Sequence, residues 1–352
     1  MIYFILKKSI SGLWVMLGII LIIFLLFAVL PGDAARMTQG QRTDVATLEA
    51  VKKEFGLDKP LSTQFLLYLN DVSPISIHNN DSSEKAKYKY ISLIKVQHKV
   101  LALKFPYLRR SYQTQKKVSE ILIETIPNTI ILAIASMLLA SILGIFLGVI
   151  AALYKDRWPD RLSMSFAILG ISMPSFFAGI LIAWFFAFVL GSYTGLNLSG
   201  SLFDYDPFQG NTIQWKNLIL PTLTLGWRPM SIIVQLTRSS MLDVLDKDYI
   251  RTAKAKGLNK GQIIWRHALK NALNPVITAI SGWFASLMAG AFFVEYIFGW
   301  NGLGKVTVDA LGLSDLPVVM GAVLFIAFLF VLVNIFVDIL YTVLDPRVKL
   351  SS

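Results

Sequence analysis

The stretch Gly299–Val306, GWNGLGKV, comes within one residue of a nucleotide-binding P-loop. Such a loop cradles phosphates on backbone N–H groups, and it needs Ser or Thr after the lysine to hold Mg²⁺. Here that position is Val306, so the stretch reads as a turn rather than a phosphate site. The chain is therefore expected to carry no ATPase of its own. Other catalytic ingredients are sparse. His78, His98 and His267 are scattered without metal-ligand spacing. Cysteine is absent, which removes disulfides, thiol catalysis and cysteine metal sites. No catalytic residue, metal site or cofactor bound by this chain is expected.

A second stretch carries information of another kind: Asp248–Pro275, DYIRTAKAKGLNKGQIIWRHALKNALNP. Asp248 suits an N-cap, and Tyr249–Lys256 has the length of two helical turns. Gly257 supplies the positive φ that ends them. Asn259 with Gln262 three residues on predicts a capping box for a further helix. Ala253 is small enough to let another surface approach, and Arg251, Lys254 and Lys256 surround it with positive charge. The result reads as a docking knob. Ala253, Gly257 and Ile263 also fit the small–glycine–aliphatic spacing of a DNA-binding helix-turn-helix. The short loop leaves no room for a third packing helix, so no nucleic-acid partner is expected.

What must position this knob is a membrane protein. Of the 352 residues 55% are hydrophobic and 16% charged, against roughly 25% charged in soluble domains. The net charge of +11 fits basic cytoplasmic loops. Uncharged runs long enough to cross a bilayer predict spans over Ile10–Leu30, between Glu124 and Lys155, over Leu162–Leu190, and over Leu316–Leu344. Two more are expected over Leu218–Met241 and Asn271–Val294, making about six. The first run exceeds a signal-peptide core, although Gly32 and Ala34 resemble a cleavage site. Lys155, Arg157 and Arg161, then the basic run from Arg238 to Lys270, mark the cytoplasmic side and place both termini there. The long segment after the first span then lies outside. It is expected to hold a helix over Asp44–Phe55 stopped by Gly56 and a second helix capped by Ser62. An exposed, mobile stretch is expected over Asn79–Lys89.

A few polar or helix-bending groups fall within or beside the spans. Arg228 lies near the middle of the fourth and must face protein or water. Two roles are open for it: lining a pathway for anionic solutes, or a structural ion pair. Pro174, flanked by Ser172 and Phe176, can kink the third span and shape a channel wall. Glu295 follows the fifth span, either as a pathway group or as a packing carboxylate. Gly144 and Gly148 predict close helix contact in the second.

The 248–275 stretch resembles the coupling loop of binding-protein-dependent ABC permeases, in which an alanine precedes a glycine by four residues. Arg251 and Lys270 depart from the general pattern as the B-type permease of the oligopeptide, dipeptide and nickel group does. Tyr249, Thr252, Ala255, Lys256 and Arg266–Leu269 match that group too. The similarity extends through Pro31–Asp33, Gly56–Leu61, Arg110–Gln113, Val118–Glu120 and Pro127–Thr129. It continues through Ser172–Phe176, Leu220–Leu223, Leu236–Leu242, Glu295, Phe298, Gly302–Gly304, Asp315–Val319, Asn334, Asp338, Tyr341 and Asp345–Arg347.

The resemblance implies an all-α integral membrane protein of the type I ABC importer permease kind, with an extracytoplasmic domain between helices 1 and 2. The divisions expected are 1–30 (first span), 31–120 (outer domain, with an insertion near 71–100), 121–345 (permease core with its coupling loop, 242–275) and 346–352 (tail). It implies a bacterial inner-membrane subunit for peptide import, with nickel, glutathione or another small solute as alternatives. Implied partners are a second non-identical permease, two cytoplasmic ATPases that bind ATP and Mg, and an extracytoplasmic solute-binding protein. Asp248, Tyr249, Arg251, Thr252, Ala253, Lys256 and Gly257 would couple to the ATPases. An ion-coupled secondary transporter is the rival class, and it would want acidic residues at midplane. Glu124, Glu295 and Asp338 lie instead at span ends.

Overall fold

The computed structural model describes residues 2–29, 59–96, 98–206 and 210–344. The expectations for Pro31–Asp33, Asp44–Gly56 and Asp345–Arg347 lie outside the described residues. The chain divides into two compact units. One holds residues up to Thr125 together with Val306–Phe328; the other holds Ile126–Lys305 and the residues from Leu329 onward.

In the first unit, α1 (Ile2–Val29) is a long apolar helix. Against it lies α2 (Leu61–Val72), where Phe65 and Tyr68 meet Phe24 at ring-centroid distances of 5.2 and 6.1 Å. Pro60, not Ser62, is the N-cap of α2, and it makes no side-chain cap bond. Its preset φ already suits a helix start, which leaves Ser62 inside the first turn.

Beyond α2 the all-α expectation fails. Strands β1 (Ile75–Asn79), β2 (Ile91–Val96) and β3 (Lys99–Leu103) form an antiparallel sheet in the order β1-β3-β2. The alternation ISIHN and KVLAL has the two-residue period of strands. Ser76, His78, Val100 and Ala102 are buried on one face. The stretch expected to be mobile contains a helix, α3 (Ser82–Tyr88). Asp81 accepts a hydrogen bond from the Ser83 N–H at 3.4 Å, and Lys89 ends the helix in the left-handed region at φ 48°. Capping and a half-buried Tyr88 at its end outweigh the polar composition there.

Polar bonds tie this sheet to α2. The Tyr88 hydroxyl and the Arg109 guanidinium donate to the Asp71 carboxylate at 3.0 and 3.1 Å. The Lys104 ammonium donates to the Asp71 carbonyl at 2.8 Å. The His78 ring lies between Tyr88 and Tyr90, at 4.3 and 5.1 Å, and one ring nitrogen is 2.9 Å from the Ser76 hydroxyl. Burial, reinforced by the Lys104 charge, holds the His78 pKa below its ordinary 6.5. A depressed histidine contributes stability above its unfolded pKa and loses it as pH falls through the folded value. Hydrogen exchange from β1 and β3 is therefore expected to quicken as pH drops below about 6.5. The His78→Phe variant, which keeps the ring stack, should flatten that dependence.

The same unit joins two distant segments. Asp315 accepts from the Ser111 hydroxyl at 2.5 Å and from the Tyr112 N–H at 3.0 Å.

The second unit is helical apart from a small hairpin, β4 (Phe203–Asp206) with β5 (Gly210–Ile213). Its helices begin with α4 (Val118–Leu153), α5 (Trp158–Ser172) and α6 (Ser175–Ala183), the last continuing as a π-helix over Trp184–Val189. Then follow α7 (Gly191–Thr194), α8 (Lys216–Leu245), α9 (Asp248–Ala255) and α10 (Lys260–Gln262). A π-helical segment, Ile263–Ala268, leads into α11 (Leu269–Gly290). Last come α12 (Phe292–Ile297), then α13 (Leu303–Gly312) and α14 (Leu316–Leu344), of which Val306–Phe328 belongs to the first unit, as do the first residues of α4 up to Thr125.

Among the described residues three helices are long and apolar enough to cross a membrane: Leu6–Leu26, Val118–Leu153 and Leu316–Ile339. The third expected span is not one helix. It breaks after Ser172 and bends by 115° between α5 and α6. Met173 is extended there, and Pro174, at φ −60° and ψ 139°, starts the next helix. Proline has no N–H to continue the ladder and pushes the preceding residue out of helical geometry. If the bent pair is one span, the count is four. Helices α8 and α11 occupy the positions of the fourth and fifth expected spans and are not among those three.

Helix α8 is the spine of this unit. Leu220, Leu225, Met230, Ile233 and Val234 pack into the core from it. A Cβ on Gly144 would lie 2.7 Å from Ile233, and one on Gly148 2.5 Å from Thr237, so α4 and α8 touch nearly backbone to backbone. The bidentate ion pair of Arg238 on α8 with Asp160 on α5, at 2.6 and 2.7 Å, fixes another neighbour. Asp160 is almost fully buried. Asp160→Ala is expected to lower stability by about 2 kcal/mol, since a charge is left without its partner. A thermal melt of the purified protein checks this. In combination with Arg238→Met the losses should fall short of additive.

Candidate functional site

The docking knob is built as expected in outline and differently in detail. Helix α9 has Lys247, not Asp248, as its N-cap, with no side-chain cap bond. Asp248 is the first helical residue, where its carboxylate faces the helix N-terminus and pairs with Arg251 at 3.3 Å. Lys256 closes the helix, and Gly257 at φ +78° turns the chain, its N–H donating to the Lys254 carbonyl at 3.0 Å. The capping box is complete: the Gln262 N–H donates to the Asn259 side chain at 2.8 Å, and the Asn259 N–H to the Gln262 side chain at 3.2 Å.

Ala253 does not face outward. It is buried with Ile250, one turn apart on the inner side of α9. Both join a cluster with Val149 and Ala152 of α4, Met241 of α8, Ile263 and Ala268 of the π segment, and Leu269 and Ala272 of α11. The small side chain lets α9 lie close on its own unit, so the alanine spacing encodes the seat of the knob, not its contact face. The outward face is Asp248, Tyr249, Arg251, Thr252, Lys254, Lys256 and Gly257, all exposed. Cations outnumber the single carboxylate of Asp248, so the face is basic.

One link has no signature in the sequence. The Asn271 side chain on α11 donates to the Tyr249 hydroxyl at 3.1 Å. With the π segment leading directly into α11, the knob is tied to that helix by both packing and a hydrogen bond.

The candidate pathway residues separate into two groups. Ser172, Pro174 and Phe176 are exposed at the break between α5 and α6, with Phe176 6.2 Å from Phe293 of α12. Arg228 is also exposed, its guanidinium 5.9 Å from the Trp283 ring centroid on α11. A cation over an indole face is held without a carboxylate.

Glu295 is on neither surface, because it is fully buried. Its carboxylate accepts from the Thr129 hydroxyl at 2.7 Å and from the N–H groups of Gly304 and Lys305 at 2.6 and 3.2 Å. A Cβ on Gly302 or Gly304 would strike it. Thr129 also accepts from the Leu303 N–H at 2.8 Å, and Trp300 donates to the Asn128 carbonyl at 3.0 Å. The P-loop-like turn thus does wrap an anion at a helix N-terminus, as such turns favour. The anion is the chain's own carboxylate.

The sequence matches two family profiles. Residues 144–350 match the profile described as binding-protein-dependent transport system inner membrane component. Residues 1–133 match that of the N-terminal part of such membrane components. The glutathione transport system permease protein of Salmonella typhimurium is 32% identical over 349 residues, covering 99% of both chains. A Brucella abortus protein named for a peptide transport system permease is 36% identical over 346 residues, covering 98% of both.

Proposed function

Because the chain belongs to the inner membrane component family of binding-protein-dependent transport systems, we propose that it forms half of the translocation pathway of an ATP-driven peptide importer. Its relatives are named permease proteins of transport systems; ATP is hydrolysed by partner subunits, not by this chain. Glutathione, itself a modified tripeptide, falls within the substrate class. Both termini and the knob lie in the cytoplasm of a bacterial inner membrane, and the first unit's sheet lies outside. The pathway is completed by a second, non-identical permease, and a solute-binding protein delivers substrate to it. Helices α8 and α11 complete the six spans.

The observation that carries this reading is the two-sided build of α9. Its basic outer face is exposed, while its inner face is seated on α4, α8 and α11. A force applied to the outer face reaches three helices at once. Closure of an ATPase pair on bound ATP would push α9, and the bundle would rock between inward-facing and outward-facing states. Arg228 and the broken α5–α6 span line the route, with Arg228 meeting substrate carboxylates.

Purification from native membranes tests the docking. ATPase subunits should co-purify with the wild-type chain and be lost from an Arg251→Glu/Lys254→Glu/Lys256→Glu variant still inserted in the membrane. Retention of the ATPases by that variant would refute docking through this face.

A further inference from the structure

The first unit presents an apolar surface that transport does not explain. The strand register puts Ile75, Leu103 and Ile91 in one row across the sheet and Ile77, Leu101 and Ile94 in the next. Paired residues point to the same face, and this is the face opposite Ser76, His78, Val100 and Ala102. Ile75, Ile77, Ile91 and Ile94 are each 56–68% exposed. The third row is Asn79, Lys99 and Val96. No paired position on this face is acidic. Lys99 lies on this face and Lys89 on the approach to the edge strand β2, whereas Lys95, paired with Val100, points to the other face; Phe105, just past β3, is 92% exposed. In water such a sheet face and open edge would invite aggregation.

The position of the sheet identifies what covers it. Phe24, which holds α2 through Phe65 and Tyr68, is two residues from the end of the apolar span Leu6–Leu26. Within one turn of Tyr68, the Asn70 side chain bonds both backbone groups of Ile77, donating at 3.1 Å and accepting at 2.8 Å. Strand β1 is thereby pinned within a few residues of the depth at which α1 leaves the hydrocarbon. Exposed apolar residues are found on each step of that path: Leu25 and Leu26 on α1, then Leu66 on α2, then Ile77. Exposed apolar side chains thus accompany the chain of contacts from the end of α1 to the sheet.

We infer that the Ile75–Ile77–Ile91–Ile94 face of the sheet rests in the headgroup region of the adjoining leaflet, with Lys99, and Lys89 at the approach to β2, on anionic lipid phosphates. Aliphatic side chains flanked by lysine suit a lipid interface. A protein interface would favour aromatic and arginine anchors and few lysines.

The cysteine-free chain allows a clean test. Single cysteines at Ile77, Ile94 and, as a control on α3, Lys85 would carry a nitroxide in the full chain, reconstituted in nanodiscs of phosphatidylglycerol or of phosphatidylcholine. In phosphatidylglycerol, labels at positions 77 and 94 should be several-fold more accessible to oxygen than to a water-soluble nickel chelate, with the reverse at 85. Adding Lys89→Glu and Lys99→Glu should raise nickel access at 94 in phosphatidylglycerol more than in phosphatidylcholine. Equal nickel access at 77, 94 and 85 would overturn the inference. So would shielding of 77 and 94 from both reagents, which would mark a protein-covered face. Unchanged circular dichroism of each variant guards against misfolding.

Discussion

Replacing Gly257 with proline is expected to reduce uptake to background while the chain remains in the membrane at its usual level. Two features of the turn after α9 lead to this. Gly257 sits at φ +78°, where proline's ring, fixed near −65°, cannot follow. Its N–H donates to the Lys254 carbonyl, and proline has no N–H. The last turn of α9 would unwind and carry Lys254 and Lys256 off the basic face. The cluster of Ile250 and Ala253 with α4, α8 and α11 would loosen with it. Nothing lies within 4 Å of a Cβ at this position, so crowding is not the cause. Gly257→Asn separates the explanations, because asparagine keeps the N–H and tolerates the left-handed region. It should retain most uptake. Uptake, membrane level and ATPase co-purification are measured for both variants. Normal uptake by the proline variant would show that force does not pass through this turn.

The second large effect is expected on stability. Glu295→Ala removes the acceptor for the Thr129 hydroxyl and the N–H groups of Gly304 and Lys305, in a site without access to water. Each buried donor left unpaired costs about 1–3 kcal/mol, so the total is on the order of 4 kcal/mol. A drop of that size should appear as a large fall in the midpoint of thermal unfolding in detergent. Glu295→Gln keeps an acceptor oxygen but turns an N–H₂ toward a donor, so it should fall between alanine and the native residue. If Glu295 served mainly as a pathway group, the alanine variant would unfold normally and lose only transport.

These two sites show how differently sequence can speak. The helix, glycine turn and capping box of the α9 loop were legible because each depends on residues within a few positions of one another. Gly257 needs only its own φ, and Asn259 and Gln262 bond to each other. The three long apolar helices were legible for the same reason, since hydropathy is a local property of a run. The break at Pro174 was foreshadowed as a kink, but its 115° bend depends on Met173 leaving helical geometry, which composition does not state.

Burial is another matter. It reversed the reading of Ala253, taken for a contact face because a small residue permits approach, and it decided between the two readings of Glu295, pathway group or packing carboxylate. Both are inside. Which side of α9 faces in was decided by Val149, Met241 and Leu269, which come from three other helices. Glu295 is satisfied by Thr129, 166 residues away, and Asp315 by Ser111, 204 residues away. The sheet of the first unit was missed because its strands are short and one of its faces is apolar toward the outside, so the alternation carried no clear sense of inside.

By itself, then, the sequence determined that this is a membrane permease without its own nucleotide site, and where its knob turns and caps. Those properties rest on residue type and on contacts a few positions apart. Only the tertiary structure decided which faces are buried, which carboxylates close the distant turns, and that the outer insertion is a sheet. Burial and long-range hydrogen bonds belong to pairs of segments, and no single segment specifies its partner.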